Sequence, residues 1–88
     1  MEYIKQLIRS AGSIGANYIE ANDNLGSKDL IMRIKICRKE SKESAYWLKH
    51  VIIELKESEA IKDELIKEAK ELMLIFAAIL RKLNAAAI

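Results

Sequence analysis

Eighty-eight residues with a net charge of +2 suffice for one small domain, 1–88, and leave no room for a second carrying its own cofactor. Proline is absent, glycine occurs three times and aromatics make up 6%, a mixture poor in turn and strand formers, so the expected class is all-α. The one cysteine, Cys37, excludes an intrachain disulfide. The longest apolar run, Leu72 to Leu80, stops at Arg81, short of the ~18 residues a membrane span requires; with no signal-like opening, the expected location is cytoplasmic.

The first element is a helix over residues 2–22. Ile4, Leu7, Ile8, Ala11, Ile14, Tyr18 and Ile19 recur at steps of three and four and read as one apolar face. Gly12 and Gly15, flanked by Ala11 and Ala16, form a low-profile patch where another backbone can approach. Asn17 is expected to bond across helices and Glu20 to serve the turn that follows. That turn is the breaker cluster Asn22 to Ser27, with Ser27 as N-cap and Asp29 in the first turn of the next helix.

The second helix is predicted over 28–56. Its seam, Leu30, Ile34, Cys37, Ser41, Ser44, Leu48, Val51 and Leu55, alternates steps of four and three and is small at its middle, so a neighbour can come close and Cys37 reads as a buried small hydrophobe. Apolar residues also lie off the seam. Ile31, Met32, Ile36, Trp47, Ile52 and Ile53 exceed what one core-facing stripe needs and form the candidate oligomer interface. A second turn is expected at Lys56 to Ala60 with Ser58 as cap. The third helix, over 60–84, presents Ile61, Leu65, Ile66, Ala69, Leu72, Met73, Phe76, Ile79, Leu80 and Leu83, with Ile75 outside that face.

Charge is laid out in blocks: −1 over residues 1–27, +4 over 28–53, −3 over 54–71 and +2 over 72–88. Positions 28, 35, 42, 49 and 56 are all lysine, a stripe about 42 Å long if the helix is continuous. Arg38 and Lys39 widen it. None of Lys28, Lys35, Lys42 and Lys49 has an acidic residue three or four positions away. One reading is a solvated face offset by the acidic block Glu57, Glu59, Asp63, Glu64, Glu68 and Glu71; the other is a phosphate track binding nucleic acid by shape and charge through Lys28, Lys35, Arg38, Lys39, Lys42 and Lys49. Tyr46 and Trp47 could stack on bases or pack internally. His50 has no second ligand at metal-binding spacing, and no phosphate loop or nucleophile elbow occurs. No enzyme, metal, cofactor or small-molecule substrate is expected.

The segments Gln6-Leu7-Ile8-Arg9-Ser10-Ala11, Ser13-Ile14-Gly15-Ala16-Asn17 and Glu20-Ala21 open a longer likeness. It continues through Ser27-Lys28-Asp29-Leu30-Ile31, Lys35-Ile36, Lys39-Glu40-Ser41-Lys42-Glu43-Ser44 and Tyr46-Trp47-Leu48. Over about residues 4 to 55 the chain resembles the four-helix-bundle proteins encoded in intervening sequences of large-subunit ribosomal RNA genes, which are related to accessory proteins of diversity-generating retroelements. The resemblance implies an antiparallel up-and-down bundle, a ring-shaped homopentamer and a nucleic-acid-binding role proposed for related proteins. Family chains carry a further helix ahead of the Gln-Leu-Ile-Arg segment, so three helices of a four-helix architecture are expected here, with another chain filling the space. The leading functional expectation is a non-enzymatic homo-oligomeric module associated with ribosomal or other structured RNA. The rival is an assembly scaffold whose lysines only keep it in solution.

Overall fold

The computed structural model describes residues 2–51 and 56–86. Three helices, α1 (Glu2–Asn22), α2 (Ser27–His50) and α3 (Lys56–Ala86), pack up and down in an elongated body of 49 × 20 × 15 Å. α2 is the central element. It packs on both neighbours, whereas the backbones of α1 and α3 nowhere approach within 8 Å among the described residues.

The first turn is held by two short polar side chains. Asn24 donates from Nδ2 to the Ala21 carbonyl at 2.9 Å, satisfying a free acceptor at the end of α1, and accepts the Gly26 N–H on Oδ1 at 3.1 Å. Asp29 folds back to accept the Leu25 N–H at 3.1 Å. Ser27, the expected cap, is instead the first helical residue; Gly26 occupies the cap position with no side-chain bond, at φ 138° and ψ 177°, a region essentially reserved for glycine. Glu20 is exposed and makes no hydrogen bond to this turn among the described residues.

α2 ends at His50 rather than at 56, and the stretch expected as a turn, Lys56 to Ala60, is already the start of α3. Val51, Ile52 and Ile53 are three β-branched residues in succession, whose restricted χ1 weakens a helix. Val51 is extended, at φ −72° and ψ 123°, and its N–H reaches the Leu48 carbonyl at 3.3 Å. Ser58 lies within α3 rather than at its cap. Lys62 joins the two helices by donating to the Val51 carbonyl at 2.9 Å while pairing with Glu59 at 3.3 Å. Ile52, Ile53 and Leu55 lie outside the described residues.

The core has two centres. Ala21, Ile34, Cys37, Phe76 and Leu80 form one, sealed by Ile14, Leu30, Ile31, Ile79 and Leu83; Ala45, Leu48 and Ala69 form the other with Leu7 and Ile66. Burying Phe76 or Leu80 contributes roughly 1.5–3 kcal/mol each. Between the centres, α1 and α2 meet through small residues: Ser10, Cys37 and Ser41 are fully buried, and Ser10 and Ser44 share a hydrogen bond of 2.9 Å. Ser10 donates to the Leu7 carbonyl, so its single proton is engaged there and Ser44 is the donor between the two. The middle of the α2 seam is therefore a close helix approach, as its side-chain sizes suggest.

The buried face of α1 shares only Leu7 and Ile14 with the apolar face read from its sequence. Leu7, Ser10, Ile14, Asn17 and Ala21 turn inward, while Ile4, Ile8, Ala11, Tyr18 and Ile19 are exposed. Small and polar residues suffice inward because the neighbour is close. Asn17 bridges the helices as expected, accepting from Arg33 Nη1 at 3.2 Å and donating to the Ser13 carbonyl at 2.9 Å. Arg9 covers the buried Glu40, donating to its Oε1 at 3.4 Å, and also lies 3.8 Å from Glu43.

Candidate nucleic-acid and subunit interfaces

Lys28, Lys35, Arg38, Lys39, Lys42 and Lys49 are all exposed on α2. At about 100° per residue they fall within roughly 100° of arc, centred about 120° around α2 from Ile34, Cys37, Ser41 and Leu48. The arc from Lys28 to Lys49 is about 32 Å long; Lys56 belongs to α3 and does not extend it. The acidic residues of α2 are engaged elsewhere. Asp29 pairs with Arg33 at 3.5 Å, and Glu40 and Glu43 pair with Arg9, so the arc keeps no carboxylate within 4 Å among the described residues.

Among the described residues no carboxylate of α3 lies within 4 Å of the arc, although the helical period puts Glu59 and Asp63 on the flank nearest to it and Glu59 pairs with Lys62. Counting from the buried Ala69, Phe76 and Leu80, the helical period places Glu64, Glu68 and Glu71 on the flank of Leu72 and Ile75, away from the basic arc, and Lys70 on the opposite flank with Leu74. Lys70 therefore joins the cations of α2 across the helix boundary. Nothing in the linear charge pattern isolates it, because it sits between Glu68 and Glu71 in sequence; only the direction in which α3 turns its buried face separates them.

At one end of the arc, four rings cluster. Tyr46 meets Trp47 edge-on at 4.9 Å and His50 at 4.4 Å, and Tyr3 of α1 lies 5.0 Å from His50 and 6.0 Å from Trp47. Trp47 is half-buried in this cluster, whereas Tyr46 is 53% exposed. His50 places Nδ1 at 2.9 Å from the Tyr46 carbonyl, and among the described residues no group of three or more His, Cys, Asp and Glu could hold a metal ion.

The six candidate interface residues of α2 do not share one fate. Ile31 helps seal the core, Ile36 and Trp47 are half-buried, Met32 is exposed, and Ile52 and Ile53 lie outside the described residues. A further apolar surface lies between α1 and α3, where two clefts open. One, of about 340 Å³, is lined by Ile14, Gly15, Tyr18, Leu72, Ile75 and Ile79; the other, of about 330 Å³, by Leu7, Leu48, Val51, Ile61 and Leu65. Ile75 is 54% exposed in the first of these, and Ile8 of α1 is 67% exposed. A Cβ added at Gly12 or Gly15 would meet nothing within 4 Å, so the low-profile patch is open rather than packed within this chain. The signal for this surface was present in sequence as surplus apolar residues on α1 and α3, merged there with the core stripes.

No helix among the described residues is long and apolar enough to cross a membrane. A family model described as the 23S rRNA-intervening sequence protein matches residues 1–82. No curated protein and no solved structure matches the chain.

Proposed function

The chain belongs to the family of 23S rRNA-intervening sequence proteins, and from that premise we propose that it is a non-enzymatic, self-associating helical module that contacts structured RNA through the outer face of α2. The observation carrying this reading is the arc of six exposed cations with no carboxylate within 4 Å among the described residues, the acidic side chains of α2 being held by Arg9 and Arg33. Desolvated pairs would not leave such a field; an unneutralised row of lysines attracts polyphosphate and gains from the counterions it releases. The family's description refers to 23S ribosomal RNA, which makes structured RNA the first ligand to test.

Replacing Lys35, Lys42 and Lys49 together with glutamine is expected to weaken binding to structured RNAs about equally. It should also flatten the dependence of log affinity on log salt by roughly 0.7–0.9 for each phosphate no longer neutralised. Titration of wild type and triple variant at several salt concentrations measures both. A second reading has its own support: the open apolar clefts between α1 and α3 suit an assembly scaffold. Equal RNA affinity of wild type and triple variant at low salt would favour the scaffold.

A further inference from the structure

Between α2 and α3 lies a cleft of about 420 Å³. Its walls carry Lys42 and Lys49 from α2 and Lys70 from α3, and its lining includes Tyr46, Met73 and Leu74. Tyr46 follows Lys42 by four residues and precedes Lys49 by three, so on the helix surface the ring stands between two ammonium groups, each about one turn away. The third ammonium group comes from the facing helix. All three lysines are exposed and without a carboxylate within 4 Å among the described residues.

We infer that this cleft is a nucleotide site that takes one unpaired residue of single-stranded RNA, its base against Tyr46, Met73 and Leu74 and its flanking phosphates on Lys42, Lys49 and Lys70. This rests on the RNA-contacting role proposed above and narrows it from a charged track to a site with a preference. The volume lies in the range of small-ligand pockets. An aromatic wall and an apolar thioether accept any base face, while cations to either side of the ring meet the phosphates on either side of the base. A lipid chain would need a longer enclosed channel than this open cleft. Duplex RNA can lie along the arc but cannot insert a base, because its bases are held in the stack.

The full-length chain is titrated at low salt with labelled single-stranded RNA, with a duplex carrying the same number of phosphates, and with a single strand whose central positions lack bases. Single-stranded RNA is expected to bind more tightly than the duplex. Tyr46→Ala should weaken the single strand roughly 5- to 150-fold, the equivalent of removing one base stack, and move the duplex by less than about twofold. Tyr46→Phe retains the ring and should retain affinity. The abasic strand should bind the wild-type protein more weakly by a similar factor, a readout that needs no variant to fold. Lys70→Gln should weaken the single strand and lower its salt slope by about 0.7, whereas Lys35→Gln, outside the cleft, weakens both RNAs alike. Equal affinity for the base-bearing and abasic strands, with both single-stranded and duplex RNA bound, overturns the nucleotide site and leaves the basic face standing. Binding of no RNA at low salt overturns both.

Discussion

The side chains that order this molecule are small. Ser10, Ser41, Ser44 and Cys37 fill the α1–α2 contact where leucines would hold the helices apart, and each hydroxyl finds a partner in place: Ser41 donates to the Cys37 carbonyl at 2.8 Å, Ser10 to Leu7 and Ser44 to Ser10. Cys37 itself directs its thiol toward the Ile14 carbonyl at 3.6 Å. Burial pushes the thiol above its ordinary value of 9.0, opposed only in part by a backbone hydrogen bond, because a thiolate there would lose its water. The folded state thus holds the Cys37 proton more tightly than the unfolded chain. Its contribution to stability is complete below the unfolded value and declines as pH rises above about 9 toward the folded value. Denaturant titrations at pH 7 and pH 10 should show a larger loss for the wild type than for Cys37→Ala, in which lysine and tyrosine ionisation is common to both and cancels. An identical loss in the two proteins would show that the thiol is not retained in its protonated form.

Among the elements, the turn between α1 and α2 and the surface of α1 make opposite demands on glycine. Gly26, at φ 138°, has no side-chain alternative: Gly26→Ala should lower stability by about 1–3 kcal/mol in denaturant titration. Gly12 and Gly15 sit in helix with open space beside them, so Gly12→Ala and Gly15→Ala should each raise the stability of the isolated chain by about 0.5–1 kcal/mol. Should a partner helix approach this patch, Gly15→Ala would at the same time weaken association. The three helices were legible from periodicity and the breaker cluster, and α1 keeps its expected limits because Asn22 and Asn24 are true stop signals. The end of α2 was not, since the seam continues through Val51 while three β-branched residues work against the helix. The buried face of α1 was hidden for another reason: hydrophobicity marks the side that leaves water only if the inward residues are large, and here they include Ser10, Asn17 and Ala21. In the candidate site, the exposed lysines of α2 were readable from their seven-residue spacing. Lys70 was not, because its place beside them depends on the rotation of α3.

For the molecule as a whole, the apolar clefts between α1 and α3 are the feature a solitary chain would leave wet. Self-association is the proposed remedy, with the ring-shaped pentamer as the form to look for. Sedimentation at micromolar concentration should give a species near five times 10.0 kDa, and the pair Ile8→Lys with Ile75→Lys, both placed on exposed positions, should release monomers that stay helical by circular dichroism. A compact wild-type monomer at that concentration would end this proposal. The central position of α2 reaches further than surface chemistry. Because every backbone packing interaction among the described residues joins helices adjacent along the chain, no long loop must close before native pairing begins, and the first two helices can dock while the third is still being synthesised. Relaxation after a temperature jump is therefore expected in the microsecond-to-millisecond range typical of low-contact-order helical proteins. Any slower phase that grows with protein concentration would time the meeting of subunits rather than the folding of one.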